Sequence, residues 1–423
     1  MATESNDACQ QPPLAKKQKT QSLLTPDEYP LKIVKGKGQY LYDENGEQYL
    51  DTSSNGAHVG HCHPRVVEAS SKQMALLCTN TRFLNDCMIL YAKHLCATLP
   101  SHLTQCFFTN TGSEANDLAV QIAQRVAGGT HIVALEGAYH GHLMSLRALN
   151  CNPVAVPPNG LCDVSKALLP GNAPKGHQTN AVLEIVKQQQ LKGKKVAGFI
   201  HESLPYVAGK GFCSASFLQE AYKAIHSCGG LCIADEVQFG HARIGSHPYA
   251  FQEYGLSPDI VTMGKLVGNG HPVAVVVTTR EVADRFGSCG IEYFNTFGGN
   301  PVSMAIADEV LSVVADEGLQ RHSAEVGDHL VRGLKGLMKA HQSIGAVHGF
   351  GLFVVVEFVQ DRDPDTELAE DVKWLMLNEH KIIVSTDHVY GNVLKFRPPL
   401  CITKEDCQHI VDSLDSVLTE LSL

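Results

Sequence analysis

Two residues of the chain have the types and positions that covalent chemistry on a carbonyl cofactor requires. Lys265 follows the apolar segment 260–263 and a glycine, and Asp235 follows the apolar segment 231–234. Ligands bind at the carboxyl ends of strands in open α/β sheets, so both side chains are expected to face one site. Pyridoxal phosphate needs a lysine that forms an imine and an acid that keeps its pyridine nitrogen protonated. A surface lysine and a structural salt bridge of Asp235 are the alternative interpretations.

A second group of residues has the composition of an anion-binding loop. Thr111, Gly112 and Ser113 join a predicted strand to a predicted helix. Hydroxyl groups and free amides at a helix N-terminus bind phosphate, and a glycine lets the backbone approach closely. Simple capping of the helix by Thr111 or Ser113 is the alternative.

Aromatic and basic side chains complete the candidate site. Tyr139 and His140 follow the apolar segment 132–135, and an aromatic ring at a strand end can stack on a cofactor ring. A surface histidine pair is the alternative interpretation of this motif. Arg82 and Arg397 are candidates for binding a carboxylate or phosphate, although most arginines are solvated surface groups.

A metal site is the less favoured interpretation of one histidine-rich segment. His58, His61, Cys62 and His63 lie within six residues, and histidine and cysteine are zinc ligands. Three of these four residues are consecutive, so they cannot all face one ion without an unusual backbone. We therefore predict that the segment is a turn lining a pocket and that the protein has no metal site.

Composition excludes two classes of function. The chain has 423 residues and a net charge of −10, from 34 basic and 44 acidic residues, which argues against nucleic-acid binding. No apolar run reaches the roughly 18 residues that span a bilayer. The 14 cysteines, without a secretory signal, indicate reduced thiols rather than a disulfide framework.

The pattern of apolar segments predicts an α/β protein with a mostly parallel central sheet. From about residue 106, short apolar segments alternate with helical stretches, as in repeated βα units. We expect strands at 106–108, 132–135, 196–200, 231–234, 260–263 and 273–277, and helices beginning near Ser113 and around Phe217.

Domain boundaries follow from changes in this pattern. We predict a disordered tail at 1–28, an N-terminal part of a small domain at 29–58, a large cofactor-binding domain at 59–305, and a C-terminal small α+β domain at 306–423. Two short strands near 31–34 and 39–42 with a hairpin turn at 43–46 are expected first. Residues 150–175 are interpreted as a long surface loop. A long helical stretch from 301 to about 341, strands at 351–356 and 393–396, and a last helix starting at 403 are expected in the C-terminal part.

Taken together, these motifs resemble the class III aminotransferases, pyridoxal-phosphate enzymes of fold type I. The resemblance runs in family order over nearly the whole chain after the tail, through the segments 58–64, 108–117, 139–142, 234–238, 259–265, 268–272, 294–300 and 393–400. Within the family, 79–84, 268–272 and 292–296 are most similar to the phospho-lyase branch, which acts on ethanolamine phosphate or phosphohydroxylysine.

The resemblance implies a role for each matching residue. Lys265 would bind pyridoxal 5'-phosphate and move the substrate proton, and Asp235 would hold the ring nitrogen. Gln238 would contact the ring hydroxyl. The resemblance also implies a homodimer with active sites at the interface. Thr111, Gly112 and Ser113 would bind the cofactor phosphate, and Tyr139 with His140 would cover the ring face. Thr296 would reach the cofactor phosphate of the partner subunit. Arg397 would hold a substrate carboxylate.

Three departures from the family pattern qualify the expected function. The opening helical segment is not recognisable before Tyr29, residues 150–175 look shortened, and Ala242 stands where a glycine is usual. We predict elimination of phosphate and ammonia from a phosphorylated amine, with Arg82 or Arg397 steadying the phosphate. An alanine–glyoxylate or ω-amine aminotransferase is the alternative, and an inactive cofactor-binding homologue is a minor one. The resemblance suggests mitochondria, with the cytoplasm as the alternative, because Glu4 and Asp7 are atypical of a presequence.

Overall fold

The computed structural model describes residues 31–53, 55–150, 163–168, 180–207, 211–290, 292–386 and 391–421. The strands in chain order are β1 (Ile33–Lys37), β2 (Tyr40–Asp43), β3 (Gln48–Asp51), β4 (Leu103–Thr109), β5 (His131–Leu135), β6 (Asp163–Ala167), β7 (Val196–Glu202), β8 (Tyr206–Val207), β9 (Gly211–Phe212), β10 (Leu231–Asp235), β11 (Ile260–Met263), β12 (Ala274–Thr279), β13 (Ile344–Phe350), β14 (Phe353–Gln360), β15 (Asp363–Pro364), β16 (Ile382–Ile383), β17 (Ser385–Thr386) and β18 (Val393–Phe396).

The α-helices are α1 (Pro64–Leu76), α2 (Asp86–Thr98), α3 (Gly112–Ala127), α4 (Ala181–Leu191), α5 (Ala215–Ser227), α6 (Arg280–Ser288), α7 (Pro301–Asp316), α8 (Leu319–Leu337), α9 (Thr366–Asn378) and α10 (Lys404–Leu421). Short 3-10 helices lie at Arg147–Leu149, Ala250–Tyr254 and Lys265–Gly268. Within the described parts of the chain, no helix has the length and apolar character needed to cross a membrane.

A seven-stranded sheet in the order β4-β12-β11-β10-β7-β5-β6 organises the larger part of the molecule. β12 runs antiparallel to both of its neighbours, β4 and β11, and the pairs among β11, β10, β7, β5 and β6 are parallel. β4 therefore runs in the same direction as β10 and β11. The carboxyl ends of β4, β5, β10 and β11 consequently lie along one edge, which confirms the predicted α/β fold with a mostly parallel sheet.

The central strands are apolar throughout because both faces of the sheet are covered. Successive residues of β5 alternate between two core clusters: Val133 and Leu135 face one, and Ile132 and Ala134 face the other. The second cluster includes Leu118, Ile122 and Val126 of α3, which form the buried stripe expected from the sequence. Helices on both faces are the usual solution for a parallel sheet.

A separate apolar cluster lies between the C-terminal helices and a five-stranded sheet in which β13, β14, β18 and β17 pair in that order. The first three strands of the chain join this part, since β3 pairs with β16 in parallel. The seven-stranded sheet falls within 59–305 and the five-stranded sheet within 306–423. The exact domain boundaries stay a prediction, and the predicted tail at 1–28 lies outside the described residues.

Four local predictions about elements need correction in a connection, an element type or a bound, although the turn at 43–46 and a strand overlapping 351–356 are both present. The turn at 43–46 joins β2 to β3, a strand that the sequence did not reveal, while the turn between β1 and β2 lies at 38–39. Residues 163–167, within the predicted loop at 150–175, form the edge strand β6. The predicted helix at 301–341 is two helices separated at Gly318, which has φ +63°. The strand predicted at 351–356 begins at Phe353, after a turn that connects it to the unexpected β13.

Candidate active site

Most of the predicted site residues converge on one pocket at the carboxyl edge of the seven-stranded sheet. The pocket has a volume of about 390 Å³. Its lining includes Thr111, Gly112, Ser113, Asn116, Tyr139, His140, Asp235, Gln238 and Lys265. Four separate chain segments supply these residues, and the strand order brings them together.

Asp235 is buried at the end of β10 and accepts hydrogen bonds on both carboxylate oxygens. Oδ2 accepts from Asn116 Nδ2 at 2.7 Å and lies 2.8 Å from His140 Nδ1, and Oδ1 accepts from the Val237 amide at 3.0 Å. Asn116 Oδ1 in turn accepts from the Thr262 hydroxyl at 2.6 Å. A buried charge is tolerated only with such partners, so the network fixes the direction of the carboxylate.

Lys265 stands directly after β11 with an unusual backbone. Its φ of +34° lies in a region that non-glycine residues rarely adopt, and such strain concentrates at functional sites. The residue as a whole is exposed to the open pocket, whereas its ammonium lies among protein groups. Burial of the ammonium and the positive charge of Arg397 nevertheless lower the pKa of Lys265 to about 8, against the opposing influence of Asp235. The amine is therefore neutral in a substantial fraction near neutral pH.

The loop after β4 forms the N-terminus of α3. Thr111 caps the helix, since its hydroxyl accepts from the Glu114 amide at 3.1 Å. The first amides of an α-helix have no partner within the helix, so those of Gly112 and Ser113 are available to an anion. The capping interpretation and the anion-site interpretation of this loop are thus compatible.

Two glycines bring this loop close to its neighbours. A Cβ atom at Gly112 would lie 2.8 Å from Val237 Cγ1, and one at Gly141 would lie 2.5 Å from Ser113 Oγ. Gly141 also has φ +120°, which side chains disfavour. Any larger residue at either position would force the loop or its neighbours, Val237 and Ser113, to move.

Tyr139 and His140 have different surroundings. Tyr139 lines the pocket and is 47% exposed, as expected of a ring that can cover a flat ligand. His140 is buried, its amide donates to Asn150 Oδ1 at 2.8 Å, and its Nε2 has no hydrogen-bond partner within the described residues. The alternative of a surface histidine pair is therefore wrong for His140.

Gln238 and Arg397 lie next to each other. Arg397 Nη1 donates to Gln238 Oε1 at 3.3 Å, and its Nη2 donates to Ser385 Oγ at 2.8 Å. Asn55 Nδ2 also donates to Gln238 Oε1. The C-terminal part of the chain thus supplies a guanidinium beside the residue predicted to contact the cofactor ring.

Thr296 and Arg82 are exposed and do not belong to the pocket lining. The Arg82 guanidinium lies 5.5 Å from the centre of the Phe294 ring. Large apolar side chains around them are exposed as well: Phe83 (67%), Leu84 (93%), Phe294 (48%) and Phe297 (69%). Four large apolar side chains exposed in two contacting segments are typical of an interaction surface.

The histidines of segment 58–63 face three different partners. His58 Nε2 lies 2.5 Å from the His241 carbonyl oxygen, His61 Nε2 lies 2.7 Å from Asp51 Oδ2, and His63 Nε2 lies 3.1 Å from Glu317 Oε1. The segment therefore does not gather these rings around a common point.

The turn with the unusual alanine is strained. His241 has φ +54° and Ala242 has φ +71°, so two consecutive side-chain-bearing residues occupy the left-handed region. The turn ends at Arg243, which is fully buried and donates to the carbonyls of Leu352 and Pro398 at 3.0 and 2.8 Å. These bonds connect the turn to the segment that carries Arg397.

Sequence reasoning missed two asparagines of the site. Asn116 supports Asp235, and Asn55 contacts Gln238. For Asn116 a signal existed: a polar residue in the otherwise apolar stripe of α3, one turn after the anion-binding loop, must find a buried partner. For Asn55 the sequence contains no comparable signal.

The fold and this constellation define a pyridoxal-phosphate-dependent enzyme of fold type I. Residues 24–418 match the family model described as aminotransferase class III, and the chain belongs to that family. A Drosophila melanogaster relative named alanine–glyoxylate aminotransferase 2-like is 42% identical over 408 residues, covering 92% of this chain and 83% of the relative. A Caenorhabditis elegans relative named ethanolamine-phosphate phospho-lyase homolog 1 is 36% identical over 420 residues, covering 92% and 89%.

Solved structures agree with the sequence comparison. A phospholyase from Arthrobacter, in complex with phosphoethanolamine, superposes with a TM-score of 0.87 at 32% identity and covers 95% of this chain and 97% of its own. Several other relatives are named as mitochondrial alanine–glyoxylate aminotransferases. The family includes aminotransferases and phospho-lyases, and both are enzymes.

The donor set fits the family cofactor. The pocket contains a lysine amine with a lowered pKa, a buried carboxylate fixed by hydrogen bonds, and helix N-terminal amides beside two hydroxyls. The amine suits the aldehyde of pyridoxal phosphate, the carboxylate suits its ring nitrogen, and the amides with the hydroxyls suit its phosphate. The unpartnered Nε2 of buried His140 is a further polar atom in this lining.

Proposed function

We propose that the protein is a phospho-lyase that eliminates phosphate and ammonia from a phosphorylated amine and yields an aldehyde. The observation that carries the proposal is the cationic surrounding of Lys265. Lys395 lies on β18 and Arg397 directly follows that strand, with buried Phe396 between them, and the positive charges of both act to lower the pKa of Lys265. Two cations suit a phosphate dianion, and the similar Arthrobacter enzyme binds phosphoethanolamine.

Cofactor binding in this proposal uses the residues of the pocket. Lys265 would hold pyridoxal phosphate covalently, Asp235 would keep its ring nitrogen protonated, and Gln238 would reach its ring hydroxyl. Thr111, Gly112 and Ser113 would bind its phosphate, and Tyr139 with His140 would cover the ring. When bound, the cofactor takes up the electron pair released at the amine-bearing carbon of the substrate.

Lys265 would then act as the base. Its neutral amine, available because its pKa is lowered to about 8, takes the proton from the amine-bearing carbon. Asp235, held by Asn116 and His140, keeps its charge directed at the ring nitrogen during this transfer. Arg397 or Arg82 would steady the phosphate as it leaves the adjacent carbon.

A panel of phosphorylated amines tests the proposal. Free phosphate and ammonia should appear from ethanolamine phosphate, phosphohydroxylysine or both, without any keto acid. Arg397→Ala and Arg82→Ala separate the two candidate phosphate ligands. If Arg82→Ala leaves both turnover and KM for phosphorylated amines unchanged, Arg82 has no part in phosphate binding, and the same criterion applies to Arg397.

An aminotransferase is the second candidate function. The 42% identical Drosophila relative is named as one, and Arg397 could hold a carboxylate instead of a phosphate. Both reactions share the proton transfer by Lys265, so the lysine does not distinguish them. Conversion of an amino donor with a keto acid, and no phosphate release from any phosphorylated amine, would favour the aminotransferase.

We also propose a homodimer with its active sites at the interface. Exposed Phe294 and Phe297 flank exposed Thr296 in the chain, and Arg82, which precedes exposed Phe83 and Leu84, contacts Phe294; Thr296 would reach the cofactor phosphate of the partner subunit. Light scattering of the purified protein should give twice the chain mass. Phe297→Asp should shift it towards the monomer, whereas Trp374→Asp, at an exposed position of α9, should leave the dimer intact.

The proposed location is the mitochondrion, with the cytoplasm as the alternative. Several relatives carry a mitochondrial name. Cell fractionation of the full-length protein with a C-terminal tag decides between the two compartments.

A further inference from the structure

Two cysteines outside the active site lie in contact. Cys96 is near the C-terminal end of α2, and Cys106 is on β4, the strand that leads into the anion-binding loop. Their Sγ atoms are 3.5 Å apart, and both side chains are partly exposed. The two thiols are therefore adjacent to each other, and Cys96 is the less buried of the two and the one that a small solute would reach first.

The two thiols are chemically different. A hydrogen bond with Cys106 lowers the pKa of Cys96 and outweighs the opposing effect of burial. The same contact, together with deeper burial, raises the pKa of Cys106 well above its usual range. Cys96 is thus the better nucleophile, and Cys106 retains its proton until a later step.

We propose that Cys96 and Cys106 form a site of reversible oxidation, at which a peroxide converts the two thiols to a disulfide. This site is separate from the pocket and does not depend on which reaction the enzyme catalyses.

The reaction balances with hydrogen peroxide as the oxidant. The Cys96 sulfur attacks one peroxide oxygen, the O–O bond breaks, and the other oxygen leaves as water with the Cys96 proton. The Cys106 sulfur then attacks the Cys96 sulfur, the S–O bond breaks, and a second water leaves with the Cys106 proton. Two electrons pass from the thiols to the peroxide, and one S–S bond replaces two S–H bonds.

The geometry requires only a small movement. The sulfurs must approach from 3.5 Å to the bonded distance of about 2.05 Å. β4 is held by its pairing with β12, where Cys106 lies opposite Val277, so most of the movement falls on Cys96 and the end of α2. The bridge would then tie α2 to the strand that positions Thr111.

Peptide mass spectrometry of the holoenzyme tests the proposal. After hydrogen peroxide treatment and alkylation of free thiols, a cross-linked peptide containing Cys96 and Cys106 should appear, two hydrogens lighter than the sum of its parts. Dithiothreitol should restore both thiols. Cys87→Ser is the matched control, because Cys87 also lies on α2 but its Sγ donates to Gln73 Oε1 at 3.4 Å, and this variant should form the same cross-link.

Cys96→Ser and Cys106→Ser should each abolish the cross-link while retaining cofactor absorbance. Oxidation of Cys96 to sulfinic acid with Cys106 still alkylated in the parent protein would overturn the proposal. A bridge joining Cys96 to another cysteine would overturn it as well. The parent measurement is decisive even if a variant fails to fold, and failure of the phospho-lyase assay would leave it unaffected.

Discussion

The lowered pKa of Lys265 gives a prediction that tests the effect of one charge, that of Arg397, on the lysine. In the cofactor-free enzyme, a pKa of about 8 leaves about a tenth of the amine neutral at pH 7. At the ordinary value of about 10.4, only about one amine in 2,500 would be neutral. Burial is the first cause of this shift and the positive charge of Arg397 is the second. Arg397→Met keeps much of the side-chain volume and removes the charge.

We expect this substitution to raise the pKa of Lys265 by roughly one unit, since a like charge nearby disfavours the protonated amine. The rate of acylation of Lys265 by acetic anhydride should then fall about tenfold at pH 7, because reactivity follows the neutral fraction. At pH 10 the parent and the variant should react almost equally. Mass spectrometry of the Lys265 peptide across a pH series measures the midpoint directly.

Arg82→Met is the matched control, because Arg82 is exposed and lies against Phe294 outside the pocket lining. Its midpoint should remain near 8. A parent midpoint near 10.4, or an Arg397→Met midpoint that does not move, would refute the electrostatic account of the lysine.

Three further predictions follow from the site and its supports. Asp235→Asn should lower kcat by roughly 10²–10³, because the amide carries no charge and its NH2 group faces the donors of Asn116 and His140. Asp259→Asn is the control, because Asp259 lies at the opposite end of the sheet, and this variant should retain activity in the same assay. Gly112→Ala should lower the free energy of unfolding by about 1–3 kcal/mol, because the added methyl group meets Val237, and it should weaken cofactor binding. Gly287→Ala is the control, because a methyl group at this position of α6 points into open space, and urea denaturation should show unchanged or increased stability. Ala242→Gly should raise the unfolding free energy by up to about 1 kcal/mol, because glycine relieves the strain at φ +71°, and an unchanged denaturation midpoint would contradict that reading.

The sequence predicted the centre of the site because the ends of buried strands can be recognised in it. Lys265 and Asp235 each follow a short, wholly apolar segment, and such segments become buried parallel strands whose carboxyl ends share one edge. The loop of Thr111 could be recognised for a similar reason, since its hydroxyls and glycine precede the clear apolar stripe of α3. These features depend on local pattern and on one general rule of α/β topology.

The elements that were missed lack that local pattern. β6 contains Asp163, Ser165 and Lys166 and lies at the edge of the sheet, so it needs few apolar residues. β13 carries two glycines and pairs with β14 at the edge of its sheet among the described residues. The break between α7 and α8 had a signal in Gly318, but the apolar pattern on either side of it is continuous enough to hide the turn.

The two asparagines that the sequence did not reveal, Asn55 and Asn116, make hydrogen bonds to residues far away in the chain. Asn55 and Gln238 are 183 residues apart in the chain, and Asn116 and Asp235 are 119 apart. No spacing rule connects such residues. The strand order, with α3 packed against β10 and β11, brings Asn116 to Asp235, and Asn55 reaches Gln238 from the segment after β3.

The release of phosphate from ethanolamine phosphate by the purified holoenzyme tests the central claim most directly. Without any keto acid, phosphate, ammonia and acetaldehyde should form in equal amounts, and Lys265→Ala should form none. Conversion of the cofactor to its amine form without phosphate release, from this substrate and from phosphohydroxylysine, would contradict the account and identify an aminotransferase.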